Sequence, residues 1–137
     1  MKFEESTFIR FSFTQQQIRK NLANALRDYD IAKKDSILEV KFSYSYNALI
    51  KAGIALLSYH QLKDRGVPGH HVRFLEKMAE ILKDEAVTDI GNVMRSKRNI
   101  DLYGGGVEIT EKECREYIIF AGRVLKKIKN IITTKTK

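Results

Sequence analysis

Three cations, Arg95, Lys97 and Arg98, fall within four residues, and Asn99, Asp101 and Tyr103 follow them before a run of three glycines, Gly104, Gly105 and Gly106. A guanidinium presents a rigid fork of N–H donors that meets phosphate oxygens in pairs, and an ammonium adds an undirected positive charge. Arg95, Lys97 and Arg98 are therefore the candidate phosphate-binding residues. Asn99 and Asp101 have the chemistry to orient a sugar hydroxyl or the Arg98 guanidinium. The bland alternative makes Arg95 and Lys97 solvated residues that complement the negative end of a helix, with the glycines only forming a turn. Spacing alone leaves both readings open.

The remaining chemistry-bearing residues are sparser. His70 and His71 follow Pro68 and Gly69. Adjacent residues on a helix point in different directions, and no carboxylate lies in the preceding turn, so one histidine is expected to cap the helix and the other to pack; no metal site is expected. His60 is expected at the surface near the end of a helix, complementing its dipole. Cys114 is the only cysteine, which excludes an internal disulfide, and its place on an apolar stripe marks an inert buried thiol. Phe42, Tyr44, Tyr46 and Tyr59 suit a core or a dimer seam better than a ligand box. No glycine-rich loop ends in Lys and Ser or Thr, so the sequence offers no support for ATP hydrolysis, and no cofactor is expected.

The elements that must position these groups are helical. Thr14 with Gln17 forms a capping-box pair, after which Ile18, Leu22, Ala25, Tyr29 and Ala32 recur at spacings of four and three. This predicts a first helix over about 14–34. Ser36 with Glu39 repeats the pair, and Leu38, Phe42, Ser45, Leu49, Ala52, Leu56 and Tyr59 carry the rhythm toward Gly66. Val40, Tyr44, Ala48, Ile50, Ile54 and Leu57 lie off that stripe, so the second helix is apolar around much of its circumference and should be the central rod. A turn at Gly66–Gly69 leads to a shorter helix with Val72, Leu75, Ala79 and Leu82 inward. Another short helix is expected over about 86–97. Thr110 with Glu113 opens the last, in which Cys114, Ile118, Ala121, Leu125, Ile128 and Ile132 form the stripe. Residues Phe8–Phe13 alternate like a strand, but with no partner strand in view they are expected to form an extended arm on the bundle. The expected fold class is all-α, an antiparallel up-down bundle of four to five helices in a single domain over 1–137, with an N-terminal arm over 1–13 and a basic tail over 130–137.

Bulk composition limits the function classes. With 43% hydrophobic and 31% charged residues the chain has an ordinary globular balance. No run approaches the ~18 apolar residues of a membrane span, and the N-terminus, with Glu4 and Glu5, lacks the apolar core of a signal peptide. With a single cysteine, these features give a cytoplasmic expectation with no membrane partner. The net charge is +8, and of 25 basic residues six (Arg123, Lys126, Lys127, Lys129, Lys135, Lys137) follow Glu116 with no acid among them. Such a segment either draws in polyanions or simply keeps the protein soluble.

Two features together resemble the HEPN superfamily. One is the aromatic, amide and alanine cluster Tyr44, Tyr46, Asn47, Ala48 and Leu49 on the long helix; the other is the later Arg98, Asn99 and Tyr103. The family pattern is an Arg followed by a polar residue and, a few positions on, a His. Arg98 and Asn99 match the first half, and Tyr103 stands where the His belongs. The resemblance spans about 43–126. It implies a helical bundle that forms a homodimer, two copies of the motif facing one groove that takes RNA or a nucleotide. In active relatives this is a metal-independent ribonuclease, often one half of a toxin-antitoxin or defence pair. Carried over, the resemblance makes Arg98, Asn99 and Tyr103 the catalytic set, with Arg98 on the scissile phosphate and Asn99 holding substrate or positioning Arg98. A phenol titrates near pH ~10 and an imidazole near ~6.5, so Tyr103 is a poor general base but a serviceable hydrogen-bond donor or stacking partner. Resemblance also implies a second role, that of a non-enzymatic accessory subunit to a partner nucleotidyltransferase. A plain helical interaction module is the third reading.

Overall fold

The computed structural model describes residues 7–66, 70–104 and 109–134, with the side chains of 100–104 left aside. Five helices and one small antiparallel ribbon follow in the order β1 (Phe8–Arg10), α1 (Gln15–Lys34), α2 (Leu38–Tyr59), β2 (Leu62–Asp64), α3 (His70–Leu82), α4 (Glu85–Gly104) and α5 (Glu111–Thr134). The fold is an all-α bundle, as the periodicities require.

Local chemistry accounts for the helix starts, with one exception. At α1 the Thr14 side chain accepts from the Gln17 backbone N–H at 3.1 Å, and Gln17 returns a bond to the Thr14 N–H at 2.9 Å. At α5 Thr110 and Glu113 make the same exchange at 3.0 and 3.1 Å. At α2 the Ser36 and Glu39 pair does not form the cap. The N-cap is Ile37, whose side chain cannot serve, and the Asp35 carboxylate accepts from its N–H at 2.9 Å instead. An Asp two residues back satisfies a helix-start donor as well as a serine hydroxyl does.

Helix α2 is the central rod. It packs against α1, α5, α3, α4 and β2, and Phe42, Tyr46, Leu49, Ala52, Ala55, Leu56 and Leu57 are all fully buried. Helices α1 and α2 form a hairpin, as do α3 and α4, while α5 lies across α2 and α1. Small residues set the spacing between layers. At Gly53 a Cβ would stand 2.5 Å from both Met78 Sδ and Phe74 Cε2, so the bare backbone of α2 is what lets α3 approach.

Two further expectations need correction. The opening stretch is not an unpaired arm: Phe8, Ile9 and Arg10 pair with Asp64, Lys63 and Leu62. The partner strand exists because α2 ends at Tyr59, short of Gly66, and Gln61 takes up the left-handed conformation at φ 61°. Its side chain then clasps the arm, accepting from Phe13 N–H at 2.7 Å and donating to the Phe13 carbonyl at 3.3 Å. An amide that satisfies both backbone groups of one residue offsets part of the cost of a non-glycine residue at positive φ. The other correction concerns α4, which is not short: it runs on to Gly104, so the Arg95–Tyr103 segment is helical throughout. The turn residues 67–69, the last two glycines of the triplet and residues 135–137 of the tail lie outside the described residues.

Asp84 ties the α3–α4 hairpin to α5. Its Oδ1 caps α4 by accepting from Ala86 N–H at 3.1 Å, and its Oδ2 receives Arg123 at 2.8 Å and Lys127 at 3.1 Å. The Arg123 hydrogen bond, supported by Lys127, holds the carboxyl below its usual range. Two of the six late cations are therefore engaged within the fold. Among the described residues no helix is long and apolar enough to cross a membrane.

Candidate phosphate site

Arg98 and Asn47 meet across the bundle. Asn47 lies on the central rod beside Tyr46, and its side-chain oxygen accepts from an Arg98 Nη at 2.9 Å. The Arg98 guanidinium carbon stands 5.6 Å from the centre of the Tyr46 ring, near enough for the cation to be drawn to the aromatic face. A planar guanidinium held by an amide oxygen and an aromatic face loses little further freedom when its remaining N–H donors take up a ligand. Arg98 is half-buried, and no carboxylate among the described residues pairs with it.

Tyr46 is the hub. It is fully buried, and its hydroxyl lies 3.0 Å from His71 Nδ1, which brings the start of α3 against the middle of α2. Burial pushes the phenol up to about 12, although Arg95 and Arg98 pull the other way. The phenol thus keeps its proton at any physiological pH. His71 is lowered from its ordinary value of 6.5, first by burial and then by His70, Arg98 and Arg95, with Asp64 opposing. Beside it, His70 donates from Nδ1 to an Asp64 carboxylate oxygen at 2.5 Å, and the two imidazole rings are 4.4 Å apart. His70 therefore links α3 to β2, an acceptor that no residue in the turn before it suggested.

The candidate residues separate into those the fold gathers and those it does not. Arg95 and Arg98, one turn apart on α4, both act on Tyr46 and His71; Arg95 is steadied by its Nε donating to Asn92 at 3.2 Å. Lys97 belongs to another face, 3.8 Å from Glu113 of α5. Asn99 is exposed, and the amide that orients Arg98 is supplied by Asn47. The Tyr103 side chain lies outside the described residues, as does that of Asp101. Sequence reasoning missed His71 and the linking role of Tyr46. The pairs are separated by 25 residues (Tyr46 and His71) and 51 residues (Asn47 and Arg98), and no local spacing announces contacts of that range. His60 was expected to carry charge at a helix end; it does sit at the C-cap of α2, but burial lowers its pKa and favours the neutral ring. Cys114 is buried, and burial raises its thiol pKa.

Two depressed histidines make folding stability sensitive to acid. A ring whose folded pKa lies below the unfolded value binds its proton more readily in the unfolded chain, so stability is complete above pH ~6.5 and declines as pH falls through the folded value. The melting temperature is therefore expected to drop as pH falls below about 6.5, and His71→Gln should flatten that slope. A melting curve series in which the parent and His71→Gln decline in parallel would assign the loss to other groups.

No protein-family model matches the chain, and no curated protein and no solved structure matches it.

Proposed function

We propose that the chain binds the phosphates of RNA or of a nucleotide at the Arg98 site, as a HEPN-type protein whose groove is completed by a second copy of the chain. The observation that carries this reading is the Arg98 guanidinium, oriented by Asn47 and Tyr46 and without a carboxylate partner among the described residues. A half-buried cation held in place without an anion is arranged to receive one. Arg95, on the same face of α4, strengthens the positive potential around the same tyrosine. The family resemblance supplies the polymer and the dimer; the geometry supports an anion.

The experiment is binding of a fluorescent single-stranded RNA in metal-free buffer over a series of salt concentrations, with analytical ultracentrifugation alongside. Arg98→Ala is expected to weaken binding about tenfold and to reduce the salt slope by about one phosphate contact while leaving the melting temperature near the parent's. Unchanged affinity and slope would remove Arg98 from recognition. A strictly monomeric mass at binding concentrations would remove the shared groove while leaving the phosphate contact to stand.

A further inference from the structure

We propose that His71 is a ligand-contacting residue of this site, that it meets a phosphate oxygen as a neutral hydrogen-bond donor through Nε2, and that Tyr46 is the positioning residue that holds it in the required tautomer. The proposal rests on the phosphate-binding reading above and deepens it.

The geometry begins with one buried phenol that has two neighbours. Tyr46 Oη lies 3.0 Å from His71 Nδ1, and the Arg98 guanidinium stands 5.6 Å from the centre of the same ring. The first turn of α3 and the polar face of α4 are thus brought to a common aromatic floor supplied by α2. A buried phenol that keeps its proton has one O–H to donate, and buried donors find acceptors. The acceptor that Tyr46 reaches among the described residues is Nδ1 of His71. A neutral imidazole that accepts at Nδ1 bears its own proton at Nε2, on the far side of the ring from Tyr46. His71 is only partly buried, and that far edge has no partner among the described residues.

The charges facing the ring suit an anion. Arg95 and Arg98 act on it from α4; His70 is its neighbour on α3; and Asp64 of β2, the one carboxylate among the described residues that acts on it, already accepts a bond from His70. With its proton at Nε2, His71 offers a donor and no outward lone pair. It is therefore suited to grip a phosphate and unsuited to remove a proton from a ribose hydroxyl, and the site is expected to hold RNA without cutting it. The histidine missing from the α4 motif is replaced here by one from α3, in a binding role.

The test uses four variants, three of them (His71→Gln, His71→Leu and Arg98→Ala) titrated with a 5′-phosphorylated, fluorescein-labelled single-stranded RNA without divalent metal. His71→Gln places an amide N–H near the position of Nε2–H, whereas His71→Leu keeps bulk and removes the donor. Binding by the glutamine variant is expected within about threefold of the parent and by the leucine variant about tenfold weaker, both read well below their melting temperatures, because leucine also leaves the buried Tyr46 hydroxyl without its acceptor and lowers stability. Nitrogen-15 spectra of the imidazole should report the Nε2-protonated form in the parent and a mixture of tautomers in Tyr46→Phe. Equal behaviour of the glutamine and leucine variants, a parent ring protonated at Nδ1, or RNA cleavage that both His71 variants abolish would each overturn the proposal. Arg98→Ala separates the two levels: if it binds as the parent does, the phosphate site itself is lost, whereas if it weakens and His71→Leu does not, only the role given to His71 fails.

Discussion

Gly53→Val is expected to lower the unfolding free energy by roughly 2–3 kcal/mol, because the new side chain enters a space already filled. A Cβ at this position would stand 2.5 Å from Met78 Sδ and from Phe74 Cε2, both on the buried face of α3. Met78 is flexible and could yield; Phe74 is a fully buried ring with little room to turn. Relief therefore requires α3 to move away from α2. His71 lies on the first turn of α3, so the same movement should loosen its bond to Tyr46 on α2. Urea denaturation gives the stability, and the imidazole nitrogen spectrum gives the local consequence. Gly53→Ala provides a graded comparison, since alanine gains up to about 1 kcal/mol of helix propensity over glycine while making the same first contact. A valine variant within 0.5 kcal/mol (roughly the scatter of a neutral surface change) would show that α3 is not held at this distance.

Lys51→Met should cost about 2 kcal/mol, through a carboxylate rather than through packing. Asp28 of α1 is almost completely buried, with Lys51 Nζ of α2 2.8 Å from its Oδ2 and an Arg27 Nη 3.1 Å from its Oδ1. Oδ2 makes no well-directed hydrogen bond, so the Lys51 charge is the main offset to its burial. Removing one member of a buried pair leaves an uncompensated charge, which costs more than the pair itself contributes. The expected loss is held to about 2 kcal/mol because Lys51 is 41% exposed and solvent already screens the attraction. Adding Asp28→Leu should restore most of that loss, a sign that cannot come from lost aliphatic contacts of Lys51. If the double variant is less stable than Lys51→Met alone, the carboxylate contributes something beyond this pair.

Both predictions concern how α2 is seated between its neighbours, and that seating is what assembles the site. Asn47 and Tyr46 have fixed places on the rod, but Arg98 and His71 reach them only if the α3–α4 hairpin docks at the right height and rotation. Gly53 sets the distance to α3, and Asp84, gripped by Arg123 and Lys127, holds the far end of the hairpin on α5.

The helices were legible in the sequence because a helix is a local object. Apolar residues at spacings of three and four report its buried face, and two capping boxes, Thr14 with Gln17 and Thr110 with Glu113, report its start within one turn. The same locality misplaced the α2 cap, since Ser36 and Glu39 had the right spacing but Asp35 had the better reach. It also concealed the small ribbon, because β1 and β2 each have three residues and neither is recognisable until the other lies alongside.

From the candidate site, residue types and local spacing could pick out Arg95 and Arg98 as candidate phosphate-binding cations, and could place Lys97 with them only by proximity along the chain. Consecutive helical residues diverge by about 100°, so it was the packing of α4 that sent Arg98 to Asn47 and Lys97 to Glu113. The identity of the groups was written in the chain, but their convergence was not. A hydrogen bond spanning 51 residues depends on the summed packing of every helix between its ends, and only the tertiary structure could decide that an amide on α2, a histidine on α3 and a guanidinium on α4 would share one tyrosine.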